Sequence, residues 1–164
     1  MSTAQSDSAL DPFARLERAH REIEARVAEL DRAADQISDE ALRADALATI
    51  AGVLAYFEGP GAIHHADEEH TLFPVLRPLE GFAQMLGAFE FQHQMNDTAF
   101  AELQAAFAAY QPGGRSRLRE LAHRFAELQR AHILAEDRVL LPQAARTLTR
   151  DEVRQLGQAM ARRG

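Results

Sequence analysis

Two segments of the chain, HHADEEHTLFP (residues 64–74) and HILAEDRVLLP (residues 132–142), align with each other without a gap. In both, a His is followed by carboxylates four and five residues later, and Leu and Pro recur at the eighth and tenth positions after it. A spacing of four places two side chains about 40° apart on one face of an α-helix. The repeat therefore predicts two related half-sites, each presenting an imidazole and a carboxylate in one direction.

Apolar residues at steps of three and four extend outward from these segments, whereas strand patterns are nearly absent. Asp11 followed by Pro12 predicts the start of a first helix, and Ser38 with Asp39 and Glu40 predicts the start of a second. Further helices are predicted from about 80 to 110, from about 116 to 145 and from about 150 to 162.

These helices predict an all-α fold, namely an antiparallel up-down four-helix bundle with an extra short C-terminal helix packed across its outside. We expect residues 11–164 to form this single domain and residues 1–10 to form a flexible N-terminal tail.

Gly and Pro residues interrupt the second predicted helix in two places. Gly59-Pro60-Gly61 predicts a kink or short break, beyond which the apolar stripe continues in register. This segment either serves only as a kink or also admits small molecules. Pro74 and Pro78 are expected to end the helix.

Composition excludes several classes of function. The 164 residues have a net charge of −7, which offers no basic surface for nucleic acid or an anionic membrane. The absence of Cys excludes thiolate metal sites, and the absence of Lys excludes Schiff-base chemistry. Apolar runs are short and no signal-peptide pattern is present, so we expect a cytoplasmic protein. The abundance of Ala and Arg indicates a bacterial source.

Histidine placement is the most informative feature. Four of the seven histidines interrupt the apolar seams, one in each long helix: His20, His64, His93 and His132. Helical geometry places His65, His70 and His123 off these seams. A single seam His is more often a core residue bonded to a carbonyl, but four at one level of a bundle need a shared partner, because burying each one unpaired costs about 1–3 kcal/mol. A metal supplies that partner.

Glu68 and Glu136 follow two of these histidines by four residues and would also face the interior. Imidazole and carboxylate without thiolate suit iron, manganese or zinc. Two carboxylates can bridge two ions, and we favour two irons. Glu17 and Glu90 each precede a seam His by three residues, as in ferritin-like di-iron proteins. That alternative leaves His64 and His132 without a role.

With these motifs in view, the sequence resembles the hemerythrin-like, or HHE cation-binding, family over about residues 11–145. The resemblance implies a four-helix bundle that holds two Fe ions with an oxo or hydroxo bridge, Mn or Zn being the alternatives. It also implies a ligand set with Glu68 and Glu136 as bridging carboxylates. The full set carried over from the family is His20, His64, Glu68, His93, His132 and Glu136.

The sequence departs from the oxygen-carrying members of the family at two positions. Those members place a second His four residues after the third-helix His, where this chain has Asp97, an additional candidate ligand. They also place the final acid five residues after the last His, where Asp137 stands beside Glu136. Helical geometry favours Glu136 over Asp137. The departure favours peroxide or NO chemistry over simple O₂ carriage.

We therefore predict a non-haem di-iron protein that binds or senses a small diatomic or peroxide ligand (O₂, H₂O₂ or NO). One alternative is iron handling, meaning storage, donation or repair of iron centres. Another is a metal-stabilised module that binds a protein partner. The sequence leaves open whether weak peroxide or NO redox activity accompanies binding, and whether the chain forms a homodimer.

Overall fold

The computed structural model of the chain describes residues 11–163, so the predicted N-terminal tail lies outside the described residues. Within this range there is no β-strand, which confirms the predicted all-α class. The α-helices are α1 (Pro12–Gln36), α2 (Arg43–Glu58), α3 (Pro60–Asp67), α4 (Phe73–Leu76), α5 (Phe82–Ala108), α6 (Arg115–Ala135), α7 (Leu141–Thr147) and α8 (Arg150–Ala161). A 3₁₀ turn occupies Pro112–Gly114 before α6.

Polar caps fix the first and last of these helices. The Asp11 carboxylate accepts hydrogen bonds from the backbone N–H groups of Phe13 and Ala14, as the sequence predicts. At α8, Thr149 and Glu152 cap each other reciprocally. The predicted start of the second helix was wrong by several residues, because the Asp39 carboxylate accepts from the backbone of Ala41 and so closes a turn ahead of α2.

Two π-helical turns lie at equivalent positions of the repeat. Glu68–Leu72 joins α3 to α4, and Glu136–Leu140 joins α6 to α7. In the first turn the N–H of Phe73 donates to the carbonyl of Glu68, five residues back instead of four.

Of the two prolines expected to end the helix, Pro78 is confirmed, since α4 ends at Leu76, but the expectation for Pro74 was wrong. Pro74 lies at the start of α4, directly after the first π turn, and Pro142 lies at the start of α7 after the second. A proline has no N–H for the carbonyl four residues back, and its ring clashes with that carbonyl. Widening the preceding turn removes the clash and lets the helix continue.

The interruption predicted at Gly59 is present, since α2 ends at Glu58 and α3 begins at Pro60. The helical segment Arg43–Leu76 nevertheless continues through it and, by length and composition alone, is apolar enough to cross a membrane. The expectation of no such segment is not met. A single helix of this kind is weak evidence for membrane insertion, because core helices of soluble proteins pass the same test.

Two apolar clusters flank a polar level of the helical bundle. Along α1, Leu16 belongs to one cluster and Ile23 to the other, with His20 between them. The same sequence of apolar, polar and apolar residues recurs along the other long helical segments. The C-terminal helix α8 packs against α1 and buries Leu156 and Met160 in the Leu16 cluster. Burial of apolar surface at both ends therefore holds the helices together around the polar level.

We expect Phe82→Ala to lower the free energy of unfolding by about 3–5 kcal/mol, because Phe82 is 1% exposed and its removal opens a cavity in the Leu16 cluster. Phe91→Ala is the matched control on the same helix. Phe91 is 60% exposed, and its removal should change stability by less than about 0.5 kcal/mol. Urea denaturation of the metal-loaded protein measures both, and equal effects would contradict the described packing.

Candidate metal centre

The polar level of the bundle contains all six side chains that the sequence predicts as metal ligands. Each is nearly inaccessible to solvent, and each lies on α1, α3, α5 or α6 or in a π turn that follows one of them. The six are His20, His64, Glu68, His93, His132 and Glu136. The bundle therefore brings together residues that lie more than a hundred positions apart in the chain.

These side chains form two overlapping groups, each able to hold one metal ion. One group consists of His20, His64, Glu68 and Glu136, and the other of Glu68, His93, His132 and Glu136. Within each group the ligand atoms all lie within 4.8 Å of one another. Since both carboxylates belong to both groups, the arrangement suits two ions side by side.

The two oxygens of Glu68 face different groups. Its Oε1 lies 3.3 Å from His64 Nε2 and 3.7 Å from His20 Nε2. Its Oε2 lies 3.3 Å from His93 Nε2, on the other side. Glu68 therefore faces histidines of both groups, through different oxygens.

Glu136 occupies the equivalent position of the second repeat, at the start of the π turn after α6. Its Oε2 lies 3.2 Å from His20 Nε2 and 3.4 Å from His132 Nε2, so it also faces one imidazole of each group. The corresponding carboxylates of the two sequence repeats thus both lie between the two pairs of histidines.

Unpartnered polar atoms provide the test of whether a metal fits here. His20 Nε2, both ring nitrogens of His64 and all four carboxylate oxygens of Glu68 and Glu136 are buried without a hydrogen-bond partner. Buried polar atoms are rarely left unpaired, and charged ones almost never. Imidazole nitrogens and carboxylate oxygens aimed at common points are metal ligands, so this cluster fits cation binding.

The second acid of each repeat contacts the outer nitrogen of a histidine. Asp137 Oδ1 lies 2.6 Å from His20 Nδ1, and Glu69 Oε1 lies 2.7 Å from His93 Nδ1. An Nδ1–H that donates to a carboxylate leaves Nε2 free to face the cluster. The tandem acids therefore divide their roles, because Glu68 and Glu136 enter the cluster while Glu69 and Asp137 orient imidazoles.

Three further acids considered from the sequence lie away from the cluster. Asp97 is exposed and belongs to neither ligand group. Glu17 is exposed, and Glu90 pairs with Arg77 on the surface. The ferritin-like pattern thus has no counterpart here, and Asp97 does not substitute for an imidazole at the cluster.

His65 was wrongly placed away from the site by the sequence. Its ring is half-buried and stacks on His93 with centroids 4.4 Å apart and an interplanar angle of 20°. His65, His93 and His132 form a third, three-histidine group within the same 4.8 Å limit. His65 is rotated by about 100° from His64 around the helix axis, and this rotation points it toward α5. Whether that direction faces solvent or another helix depends on how the helices pack.

The histidines of the cluster differ widely in pKa. Burial lowers the pKa of His20, but the nearby carboxylates of Glu136 and Glu68 outweigh burial and raise it to about 10. Burial is likewise outweighed at His93, where Glu68 and Glu69 raise the pKa to about 9. At His64 burial prevails and lowers the pKa to about 4.

The pKa values of the two buried carboxylates shift in opposite directions. Burial raises the pKa of Glu68, but its electrostatic interaction with His64 and the proximity of His20 and His93 hold it well below its ordinary value. Burial and the charge of Glu68 raise the pKa of Glu136. A cation between the two carboxylates would relieve this repulsion.

Comparison with known proteins agrees with this geometry. A family model described as the hemerythrin HHE cation binding domain matches residues 11–144, a range that includes all six clustered side chains. A search of curated proteins finds no significant match.

Asp137→Asn is expected to weaken metal binding about 10–100-fold, because the amide accepts less strongly from His20 Nδ1–H and no longer fixes that ring. Asp151→Asn, on the exposed face of α8, is the control with the same chemical change. Competition with a chromophoric chelator measures both affinities. Equal affinities in the two variants would contradict the orienting role of Asp137.

Metal binding is expected to release protons and to weaken as pH falls through about 10 and 9, the pKa values of His20 and His93. With pKa values of about 10 and 9, His20 and His93 are protonated at pH 7 in the metal-free protein, and each must lose a proton from Nε2 to coordinate. Calorimetric titration of the metal-free protein with Zn²⁺, in two buffers of different ionisation enthalpy, counts the protons. Binding without proton release would contradict these protonation states.

Proposed function

The chain belongs to the hemerythrin HHE cation-binding domain family, and from this premise we propose that it is a non-haem di-iron protein that binds or senses small oxidants. The proposed ligands of the two irons are His20, His64, Glu68, His93, His132 and Glu136. The proposed small-molecule ligand is O₂, H₂O₂ or NO.

One observation carries the proposal of two ions. The two four-residue groups overlap only in Glu68 and Glu136, while each has two histidines of its own. A single ion would leave one pair of imidazoles facing the carboxylates without a cation. Two ions give a partner to both carboxylates and to one ring nitrogen of each of the four imidazoles.

When bound, an iron pair supplies the electron transfer that reversible binding or reduction of an oxidant requires. The residues of the chain set the conditions for that chemistry. Glu68 and Glu136 offset part of the metal charge, while Asp137 and Glu69 hold His20 and His93 by their outer nitrogens. The apolar clusters on both sides keep bulk water away from the polar level.

The ligand count favours oxidant chemistry over plain O₂ carriage. With Asp97 exposed and away from the cluster, the proposed set contains four imidazoles, whereas oxygen carriers in the family have five; the further imidazole beside this cluster, that of His65, belongs to the three-histidine group and to neither four-residue group. A missing terminal nitrogen leaves a coordination position for an incoming ligand and alters the redox potential of the pair.

We also propose that the long helices form the antiparallel up-down bundle predicted from the sequence. In the hydrogen-bonded pairs between neighbouring helices, residue numbers rise along one helix as they fall along the other. Between α1 and the segment from α6 onward the pairs are His20–Asp137 and Asp35–Arg119. Between the α2–α3 segment and α5 they are Glu58–Gln104 and Glu69–His93. This order supports opposite directions for the paired helices.

Metal analysis of the purified full-length chain tests the proposal. We expect about two irons per chain, together with a visible charge-transfer band that shifts when azide binds. Zinc, or no metal after anaerobic loading with ferrous iron, would contradict a di-iron function. Binding of O₂, H₂O₂ and NO is then measured directly on the loaded protein.

His64→Ala should remove most of the iron and the visible band, because His64 Nε2 belongs to the group that holds one of the two ions. His123→Ala is the matched control, since His123 pairs with Asp31 and Asp35 at the surface. It should keep the iron content and spectrum of the unmodified chain. Full iron occupancy in His64→Ala would refute the ligand assignment.

A further inference from the structure

The three groups of candidate ligands overlap in series. The three-histidine group shares His93 and His132 with the second group, and the second shares Glu68 and Glu136 with the third. In order, the groups are His65, His93 and His132; His93, His132, Glu68 and Glu136; and Glu68, Glu136, His20 and His64. Neighbouring groups thus have two ligands in common. Two ligands can stay on a cation while the others exchange, which avoids the cost of a bare charge inside the bundle.

A cavity of about 400 Å³ leads from the surface to the first of these groups. Its lining includes the exposed residues Glu58 and Asp97 as well as the buried Gln129, so it extends from solvent into the bundle. Of the residues in the three groups, only His65 lines it. A divalent cation with six waters occupies roughly 200 Å³, at about 30 Å³ per water. The cavity is therefore large enough to admit a hydrated cation as far as His65.

The charges that line this cavity favour a cation. Its lining contains Glu58, Glu69 and Asp97 and no Arg. A second cavity, of about 230 Å³, is lined by His64 of the third group, but there two arginines balance two acids. A wall of one sign raises the local concentration of the opposite charge and speeds its association. The arrangement therefore favours entry beside His65 over entry beside His64.

From these features we propose that the larger cavity is the route by which Fe²⁺ reaches the metal centre, with His65 as the first protein ligand on that route. His65, His93 and His132 together take the cation from the cavity. The two shared carboxylates, Glu68 and Glu136, then replace His65. Waters of the cation are exchanged for protein ligands, and no electron is transferred. The inference rests on the proposed di-iron function and adds a loading role for a histidine outside both four-residue groups.

Uptake of Co²⁺ by the metal-free full chain, followed by stopped-flow absorbance without oxygen, tests this route. Co²⁺ accepts the same imidazole and carboxylate ligands as Fe²⁺, and its visible bands report coordination. His65→Ala should slow uptake about tenfold, the rate change that corresponds to about 1.4 kcal/mol of lost stabilisation. It should still bind about two Co²⁺ per chain at equilibrium, because both four-residue groups are intact. His123→Ala, at the surface, should match the unmodified chain in both measurements.

Release of the metal repeats the test on the loaded protein. Transfer of Co²⁺ from the loaded chains to excess chelator passes through the same steps in reverse, so His65→Ala should slow it by the same factor. Circular dichroism before mixing compares the helix content of the metal-free chains. Slow uptake with unchanged release would indicate a folding defect of the metal-free variant and would overturn the proposal.

His65→Phe separates metal binding from stacking and from simple access. It keeps a flat ring against His93 but offers no nitrogen. If His65 binds the cation, His65→Ala and His65→Phe both take up Co²⁺ slowly. Faster uptake by His65→Ala would mean that the side chain only obstructs the cavity, and unchanged uptake by His65→Phe would mean that it only positions His93. Either result would overturn the proposal.

His65→Cys makes the passage visible, because the chain has no cysteine of its own. After mixing with about two equivalents of Co²⁺, a cobalt–thiolate absorption band should rise and then disappear as the carboxylates replace the thiolate. A band that persists would identify this position as a permanent ligand. Absence of the band would show that the cation does not contact it, and both results would overturn the transit role.

Asp97→Asn tests the charge of the cavity. It should slow uptake about two- to threefold at low ionic strength and have little effect in about 1 M salt, where the Debye length is about 3 Å. Glu22→Gln is the matched control, because it removes the same charge from the lining of the smaller cavity. It should leave the uptake rate unchanged. Equal effects of the two substitutions would point to the net charge of the chain and would contradict entry through the larger cavity.

Final metal content and uptake rate separate this inference from the di-iron function. Unchanged uptake in His65→Ala, with about two Co²⁺ bound, would refute the route alone. Slow uptake in His65→Ala, together with no iron in the purified unmodified chain, would refute the di-iron function alone. Loss of one Co²⁺ at equilibrium from His65→Ala would make His65 a permanent ligand and would also overturn the loading role.

Discussion

The burial of two carboxylates among four imidazoles is the constraint on which the rest of this structure depends. Glu68 and Glu136 have no solvent exposure, and none of their oxygens has a hydrogen-bond partner. Their mutual repulsion favours the open, unfolded chain unless positive charge lies between them. The apolar clusters on both sides and the oriented histidines are arranged around this one energetic cost, which a bound cation would turn into a gain.

Hydrophobic periodicity was sufficient to predict the helices, because a stripe at steps of three and four has few other interpretations. The seam histidines could be found in the same way, since a polar residue in an apolar stripe stands out. The start of α2 was missed because Asp39 closes a turn, and an Asp before a helical pattern indicates both structures equally well.

Features that arise from contacts between helices were beyond the reach of the sequence. The contact of His65 with His93 depends on how closely α3 approaches α5, which no spacing within one helix encodes. The division of roles between Glu136 and Asp137 could be predicted only in part. Helical rotation identified Glu136 as the inward acid, but it did not show that Asp137 contacts His20. The signal for the π turns was present in the recurring Pro, yet proline is read more often as the end of a helix.

The two π turns affect which mutations the helical segments α3–α4 and α6–α7 can tolerate. A π turn accommodates one residue more than an α turn, so the residues after it are set back by one position, about 100° of rotation. In each segment the carboxylate before the proline and the apolar residues after it therefore have separate rotational registers around the helix axis. Mutations that repack α4 or α7 need not change the direction of Glu68 or Glu136. The apolar packing can therefore vary in sequence while the geometry of the metal cluster is kept.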